Sequence, residues 1–292
     1  MNTDIRIDWQ SGMEITPQTF IDMENSIAEN RLLVRKIISA KNFGVIPRTK
    51  YSISPELMNG TLLLKQITCS VLLPTGQVAV LESNGNLSLE IPPKDADELY
   101  LTLELSSGVS SFAKGGVPYL VNENKFELKK LSEIRSEMPL LKIVNNNGTW
   151  SVSETYVMPV MAVRTSTVLV DKLGEMKKEA VKIMEHDHAS YLSDPVLIMI
   201  LLDQLNSFSI DDSSRELVLL CKRIATALSY SIYKHKAELP APNIMDIEPY
   251  LDAFKAFLAD AAVAMNDLKP TVAMPVEEEP EPPVEDVFCP MI

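Results

Sequence analysis

The densest run of chemically capable side chains is Glu185-His186-Asp187-His188, two imidazoles and two carboxylates in four consecutive positions. Such a set resembles a metal site. On a helix, however, positions i and i+2 project in nearly opposite directions, so the two imidazoles cannot share one ion; only Glu185 and His188 lie on a common face. The stretch reads as the polar, solvated end of a helix. Paired carboxylates for glycoside hydrolysis would have to come from Glu82, Glu90, Asp95 or Glu104, which are scattered without a recognisable pairing. Lys114-Gly115-Gly116 lacks the following Lys-Ser/Thr and the helix start of a phosphate cradle and reads as a tight loop. No G-x-S-x-G, Walker or H-E-x-x-H pattern occurs. The expectation is a non-enzyme with no catalytic residue, cofactor or metal ligand. The rival from another class is a carbohydrate-active β-sandwich enzyme.

Composition narrows the partners. A formal charge of -13 over 292 residues repels phosphate backbones, and with 6% aromatic residues the chain is a poor nucleobase binder, so no nucleic-acid partner is expected. Cys69, Cys221 and Cys289 are too far apart for a disulfide framework or a C-x-x-C zinc site and fit a reducing compartment. Met1 to Trp9 has no apolar signal core, and the longest apolar run, Val196 to Leu202, is far below the ~18 residues that span a bilayer. A cytoplasmic location without membrane insertion is expected.

The elements follow from periodicity and punctuation. Thr16 caps and Pro17 opens a helix with apolar residues at Phe20, Met23, Ile27, Val34 and Ile38, ending near Asn42 to Gly44; Phe20 is expected to dock inward. Up to about residue 164 the signals are short strands. Leu99, Leu101, Leu103 and Leu105 alternate with Tyr100, Thr102 and Glu104, predicting one apolar and one polar face. Pro74-Thr75-Gly76, Asn84-Gly85 and Asn145-Asn146-Asn147-Gly148 supply hairpin turns. Beyond Arg164 the period becomes helical, predicting helices over 167–192, 195–208, 214–235 and 247–268, joined by short loops as an antiparallel bundle or hairpin stack, with Asp194, Ser213 and Asp246 as caps. The fold class is therefore α+β: an antiparallel β-sandwich or barrel over 1–164, an all-α bundle over 165–269, and a disordered acidic Pro/Glu tail over 270–292. Val196-Leu197-Ile198-Met199-Ile200-Leu201-Leu202 is apolar all round and requires cover on every side. It is either central in the bundle or packed on copies of itself about a symmetry axis, with Leu197, Met199, Ile200, Leu201 and Leu205 as the packing residues.

Trp9-Gln10-Ser11-Gly12-Met13-Glu14-Ile15-Thr16-Pro17-Gln18-Thr19-Phe20 resembles W-x-x-G-M/L-x-L-x-P-Q-H-F, the opening signature of the TssK family of type VI secretion baseplate proteins, with Thr19 in place of histidine. Phe43-Gly44-Val45, Leu73-Pro74-Thr75-Gly76, Tyr100-Leu101-Thr102-Leu103, Trp150 with Tyr156-Val157-Met158-Pro159, and Leu202-Asp203-Gln204-Leu205-Asn206 follow in the family's order. Pro249-Tyr250-Leu251 is loosely similar to its closing stalk helix. The resemblance covers residues 9 to about 268. It implies a β shoulder like that of siphophage receptor-binding proteins and a helical neck, assembled as a homotrimer that binds the wedge proteins TssF and TssG and links the baseplate to membrane-complex proteins. Trp9, Gly12, Met13, Pro17 and Phe20 would shape the wedge-facing end or, equally, the shoulder core. The family's C-terminal head has no counterpart here, which puts the membrane-complex contact on the tail or on another protein. The alternative is a phage-like tail adaptor or receptor-binding subunit.

Overall fold

The computed structural model describes residues 14, 16–39, 42–58, 60–83, 87–92, 96–114 and 117–269. Trp9, Gly12, Met13, Asn84, Gly85, Asp95, Gly115, Gly116 and the acidic tail with Cys289 lie outside them. Helix α1 (Pro17–Ser39) begins as its sequence dictates. The Thr19 N–H donates to Thr16 Oγ1 (3.3 Å) and the Thr16 N–H to Thr19 Oγ1 (3.2 Å), so each threonine satisfies a free donor at the helix start.

Two antiparallel sheets follow. In the first, the long β3 (Thr61–Leu72) carries four strands: β2 (Ser52–Met58) and β5 (Leu87–Glu90) on its first half, β1 (Gly44–Val45) and β4 (Val78–Ser83) on its second. The register of β2 slips between Ser54 and Pro55, where Gln66 and Leu64 are the successive partners and Lys65 is passed over. Pro55, without an N–H to give, stands at that bulge. Gly76 turns the β3–β4 connection at φ +83°, its N–H donating to the Leu73 carbonyl (2.9 Å).

The second sheet has the order β7 (Val117–Lys129), β6 (Glu98–Lys114), β8 (Met138–Asn146), β9 (Thr149–Val152). The β8–β9 turn consists of Asn147 and Gly148, both at positive φ (55° and 90°), the two-residue hairpin that Asn-Gly favours. The alternation expected of β6 is corrected. Leu99, Leu101 and Leu103 are buried, but so are Tyr100 and Thr102 on the other face, and Leu105 is half-buried. The second face is covered because Tyr100 meets Tyr156 and Asp246 there. Side chains of both sheets belong to one hydrophobic core that continues into the helices.

The helical part comprises α2 (Thr167–Met184), α3 (Pro195–Asn206), α4 (Ser214–Ile232) and α5 (Glu248–Ala264). Ser166, Asp194 and Ser213 cap the first three, Ser213 together with Glu216 as a capping box. α2 stops eight residues before the expected Leu192, and residues 189–191 form a 3-10 turn. There the His188 N–H donates to His186 Nδ1 (3.1 Å) rather than to a helical carbonyl. The antiparallel bundle is also corrected. Lys172 pairs with Asp252, Glu175 with Lys255, and His188 Nδ1 meets the Met265 carbonyl, so α2 and α5 run in the same direction. The cause is the connection after α4: residues 233–247, stiffened by Pro240-Ala241-Pro242, return the chain to the sheet end before α5 starts. No helix among the described residues is long and apolar enough to cross a membrane.

Candidate interaction surfaces

The two halves of the molecule meet at a closely tied seam. Gly44 passes so near the 159–160 backbone that a Cβ on it would lie 2.3 Å from the Pro159 carbonyl oxygen, and its φ of +130° is open only to glycine at low cost. That proximity lets the Val45 N–H donate to Pro159 (3.0 Å) and the Met161 N–H to Val45 (3.2 Å), while Asn42 Nδ2 donates to the Met161 carbonyl (2.9 Å). From the helical side Ser214 Oγ donates to the Val160 carbonyl (2.9 Å), and Tyr156 Oη to that of Met245 (2.9 Å).

A buried polar cluster completes the seam. Asp246, expected to cap α5, does not: Ile247 is the N-cap residue and makes no side-chain capping bond. The Asp246 side chain is 3% exposed, and its Oδ2 accepts from the Tyr100 hydroxyl (2.7 Å) and from Lys142 Nζ (3.1 Å). Lys142, 8% exposed, also pairs with the half-exposed Glu98 (2.9 Å) and lies 5.6 Å from the centre of the Tyr100 ring. Burial works against the lysine's charge, but its two carboxylate partners outweigh it and its pKa rises. Burial and the nearby carboxylates push the Tyr100 phenol up as well. None of the three was singled out from sequence as part of a site. The available signal was Lys142, the one charge inside the apolar strand Leu140-Leu141-Lys142-Ile143-Val144.

Two surfaces, by contrast, leave apolar side chains uncovered. On α1, Phe20, Ile27, Leu33, Val34, Ile37 and Ile38 are between 43% and 61% exposed, so Phe20 does not dock inward. On the same helix Thr19 is buried and Met23, Ser26 and Asn30 are half-buried, and near its end Lys36 lies against Gly76, whose added Cβ would sit 2.8 Å from the Lys36 backbone nitrogen. On α3, Leu201 and Leu205 are buried within the bundle with Ile198 and Leu202, Met199 is half-buried, and Val196, Leu197 and Ile200 are exposed. The apolar run is thus covered on one side only. Pro17 and Gln18 of the opening motif are exposed at the start of α1, and Thr19, which stands in place of the family's histidine, is buried.

The residues considered for chemistry are dispersed or engaged. His186 Nδ1 accepts the His188 N–H, and the His188 ring, paired with the Met265 carbonyl, stacks on Tyr191 at 5.0 Å. No group of three or more metal-ligating side chains occurs among the described residues. Glu82 and Glu90 stand on β4 and β5 of the first sheet, Glu104 on β6 of the second. An open cleft of about 640 Å³ between β8 and the start of α2 contains Arg48 and Arg164, the latter paired with Asp211.

Solved structures share the overall fold of this chain. A crystal structure of TssK superposes with a TM-score of 0.60 at 11% identity, over 89% of this chain and 69% of that one. The chain has the TssK fold. A chain of the type VI secretion TssK-TssF-TssG baseplate subcomplex matches with a TM-score of 0.58 at 14% identity, covering 89% of this chain and 99% of that one. TssK from the EAEC system, solved with a nanobody, matches at 0.59 and 14% over 83% of this chain. No protein-family model matches the sequence, and no curated protein does. The TssK fold therefore persists here where sequence similarity has faded, and Phe43-Gly44-Val45 and Tyr156-Val157-Met158-Pro159, two segments that carried the resemblance, are the two sides of the seam.

Proposed function

We propose that the chain is a structural subunit of a type VI secretion baseplate, occupying the place of TssK and working by holding its neighbours, with no chemical turnover. The observation that carries this reading is the match of 89% of the chain to a chain of the TssK-TssF-TssG subcomplex. The opening motif, with Trp9, Gly12, Met13, Pro17 and Phe20 at the family's spacing, supports it from an independent direction. In this reading residues 1–164 form the β shoulder, 165–269 the helical neck and 270–292 the acidic tail. Three copies assemble, the ends carrying Trp9, Gly12, Met13 and Pro17 face TssF and TssG, and Leu197, Met199 and Ile200 add apolar surface between necks. The complex sits at the cytoplasmic face of the inner membrane, and the C-terminal end is the route to the membrane complex.

The test is co-expression with the TssF and TssG of the same gene cluster. Co-purification of all three at a fixed ratio, lost on deletion of residues 1–16, is the expected result. A chain that stays alone at micromolar concentration, or turns over a glycan with a carboxylate-dependent rate, defeats the proposal.

A further inference from the structure

Away from the seam, the return along 233–247 and α4 enclose a cavity of about 240 Å³. Leu239, Pro240 and Pro242 give it apolar walls, Tyr250 of α5, 2% exposed, lines its inner side, and the exposed Lys222 and Lys236 stand at its rim. No carboxylate among the described residues lines it, and neither lysine makes an ion pair with a described residue. In a chain with 40 acidic and 27 basic side chains, that is an uncompensated basic mouth. Tyr250 adds an unmet donor. Its hydroxyl is buried without a hydrogen-bond partner among the described residues, and burial holds the phenol above its ordinary pKa, so it keeps its proton. Buried hydroxyls in folded proteins are nearly always paired. The volume lies below the roughly 300–1,000 Å³ of small-molecule pockets and suits one or two side chains of a peptide.

The chain itself carries a segment of matching chemistry. Residues 270–292 contain Glu277, Glu278, Glu279, Glu281, Glu285 and Asp286 and no basic residue, and Phe288 is the one aromatic side chain beyond Lys269. Glu285-Asp286-Val287-Phe288 therefore sets two carboxylates beside an apolar pair, the same order as the rim and the interior of the cavity. Reach is no obstacle. Tyr250 and Leu268 are about 27 Å apart along the α5 axis at ~1.5 Å per residue, and a proline-rich chain from Lys269 to Asp286 spans about 50 Å at ~3.1 Å per residue. We propose that the acidic tail folds back along the helical part and docks in this cavity, with Val287 and Phe288 inside and Glu285 and Asp286 against Lys222 and Lys236. A tail backbone carbonyl supplies the acceptor for the Tyr250 hydroxyl. The tether favours this occupant over a free peptide of the same composition, because attachment raises its local concentration to roughly the millimolar range. Exposed ion pairs contribute little by themselves and set the register, while burial of Phe288 supplies most of the attraction. The docking stands on the cavity and the tail alone and is independent of the baseplate reading.

The experiment uses the full chain, with Cys289, next to Phe288, as the reporter. Ala241→Cys, at the exposed edge of the cavity, should form a 241–289 disulfide within one chain under mild oxidation, located by peptide mapping. Lys178→Cys, exposed on α2, should not link to Cys289. The natural Cys69 and Cys221 are buried, the Cys69 thiol pushed up to about 11 by burial, and do not compete. In the otherwise unaltered chain Cys289 should react with a thiol reagent several-fold more slowly than in a synthetic 270–292 peptide. Lys222→Glu with Lys236→Glu should restore the peptide's rate and abolish the link. Glu285→Lys with Asp286→Lys should do the same, and because it alters only the tail it keeps the test valid if the first variant misfolds. A link that survives both charge reversals overturns the role of the two lysines. A 241–289 link that joins two chains in dilute solution puts a second copy's tail in the cavity and overturns docking within one chain. No link, or Cys289 reacting at the peptide's rate, overturns the docking altogether.

Discussion

The seam and α1 use apolar and polar side chains in opposite ways. At the seam, Gly44, Val45, Val160, Tyr100 and Asp246 come from distant parts of the sequence and are satisfied by one another inside one chain. Along α1, Phe20, Ile27, Val34 and Ile37 recur at a regular spacing and are left in solvent. A group whose partners lie within the chain holds the fold, whereas a periodic apolar row without partners is stable only when something outside covers it. The contrast separates what holds the subunit together from an apolar face left open to solvent, and it implies that substitutions in the two regions affect different measurements.

The largest effect is expected at Asp246. Asp246→Ala leaves Lys142 buried, with only the half-exposed Glu98 as partner, and removes the nearer acceptor of the Tyr100 hydroxyl, leaving it Glu98 at 3.3 Å. Breaking a buried pair from one side costs about 3–5 kcal/mol, to be read as a shift of the urea midpoint. Replacing both charges, Lys142→Met with Asp246→Leu, should recover most of that loss, because no unpaired ion remains. A single variant that unfolds within about 1 kcal/mol of the unaltered chain would mean the cluster does not tie the sheet to the helices.

What was legible from sequence divides along the same line. Local signals were read correctly: Thr16 and Pro17 opening α1, the caps Asp194 and Ser213, the turns at Gly76 and Gly148, and the change from strands to helices near residue 164. Errors arose where a distant partner overrode a local preference. Asp246 has good capping chemistry, yet a buried lysine and a tyrosine hydroxyl more than a hundred residues away compete for it. Tyr100 alternates like a surface residue and is covered because Tyr156 packs on it and the chain returns along 233–247 to bring Asp246 there. Helix direction was not legible, because Pro240-Ala241-Pro242 carries the same turn signal whether the chain reverses at once or returns along 233–247 to the sheet. An inward Phe20 is what apolar character alone predicts; on α1 it stays exposed together with Ile27 and Val34.

A middle-sized effect is expected at Glu137, before β8. Burial disfavours its charge, but Lys129 and the backbone N–H groups of Arg135 (2.7 Å) and Ser136 (2.9 Å) overcome this and hold the carboxyl at about 2, against an ordinary 4.5. A carboxyl depressed in the folded state contributes stability that is fully present above its unfolded value and lost as the pH falls through its folded one. Glu137→Gln should therefore cost about 2 kcal/mol at neutral pH, and its gap from the unaltered chain should close between about pH 4.5 and pH 2. A gap independent of pH would mean that packing, and not the charge, fixes this connection.

The smallest effect on folding is expected at Ile37, and it tests the contrast from the other side. Ile37 is 61% exposed, so Ile37→Lys removes little buried surface and places a charge where water already is. Measured at a concentration low enough for single chains, it should move the unfolding free energy by less than about 0.5 kcal/mol. At higher concentration the unaltered chain is expected to melt at a temperature that rises with concentration, and the same variant to lose that dependence, because only an assembly is stabilised by mass action. If Ile37→Lys destabilises the single chain as much as a core substitution, α1 is held by its own subunit and the division between a tied seam and an open helix face fails.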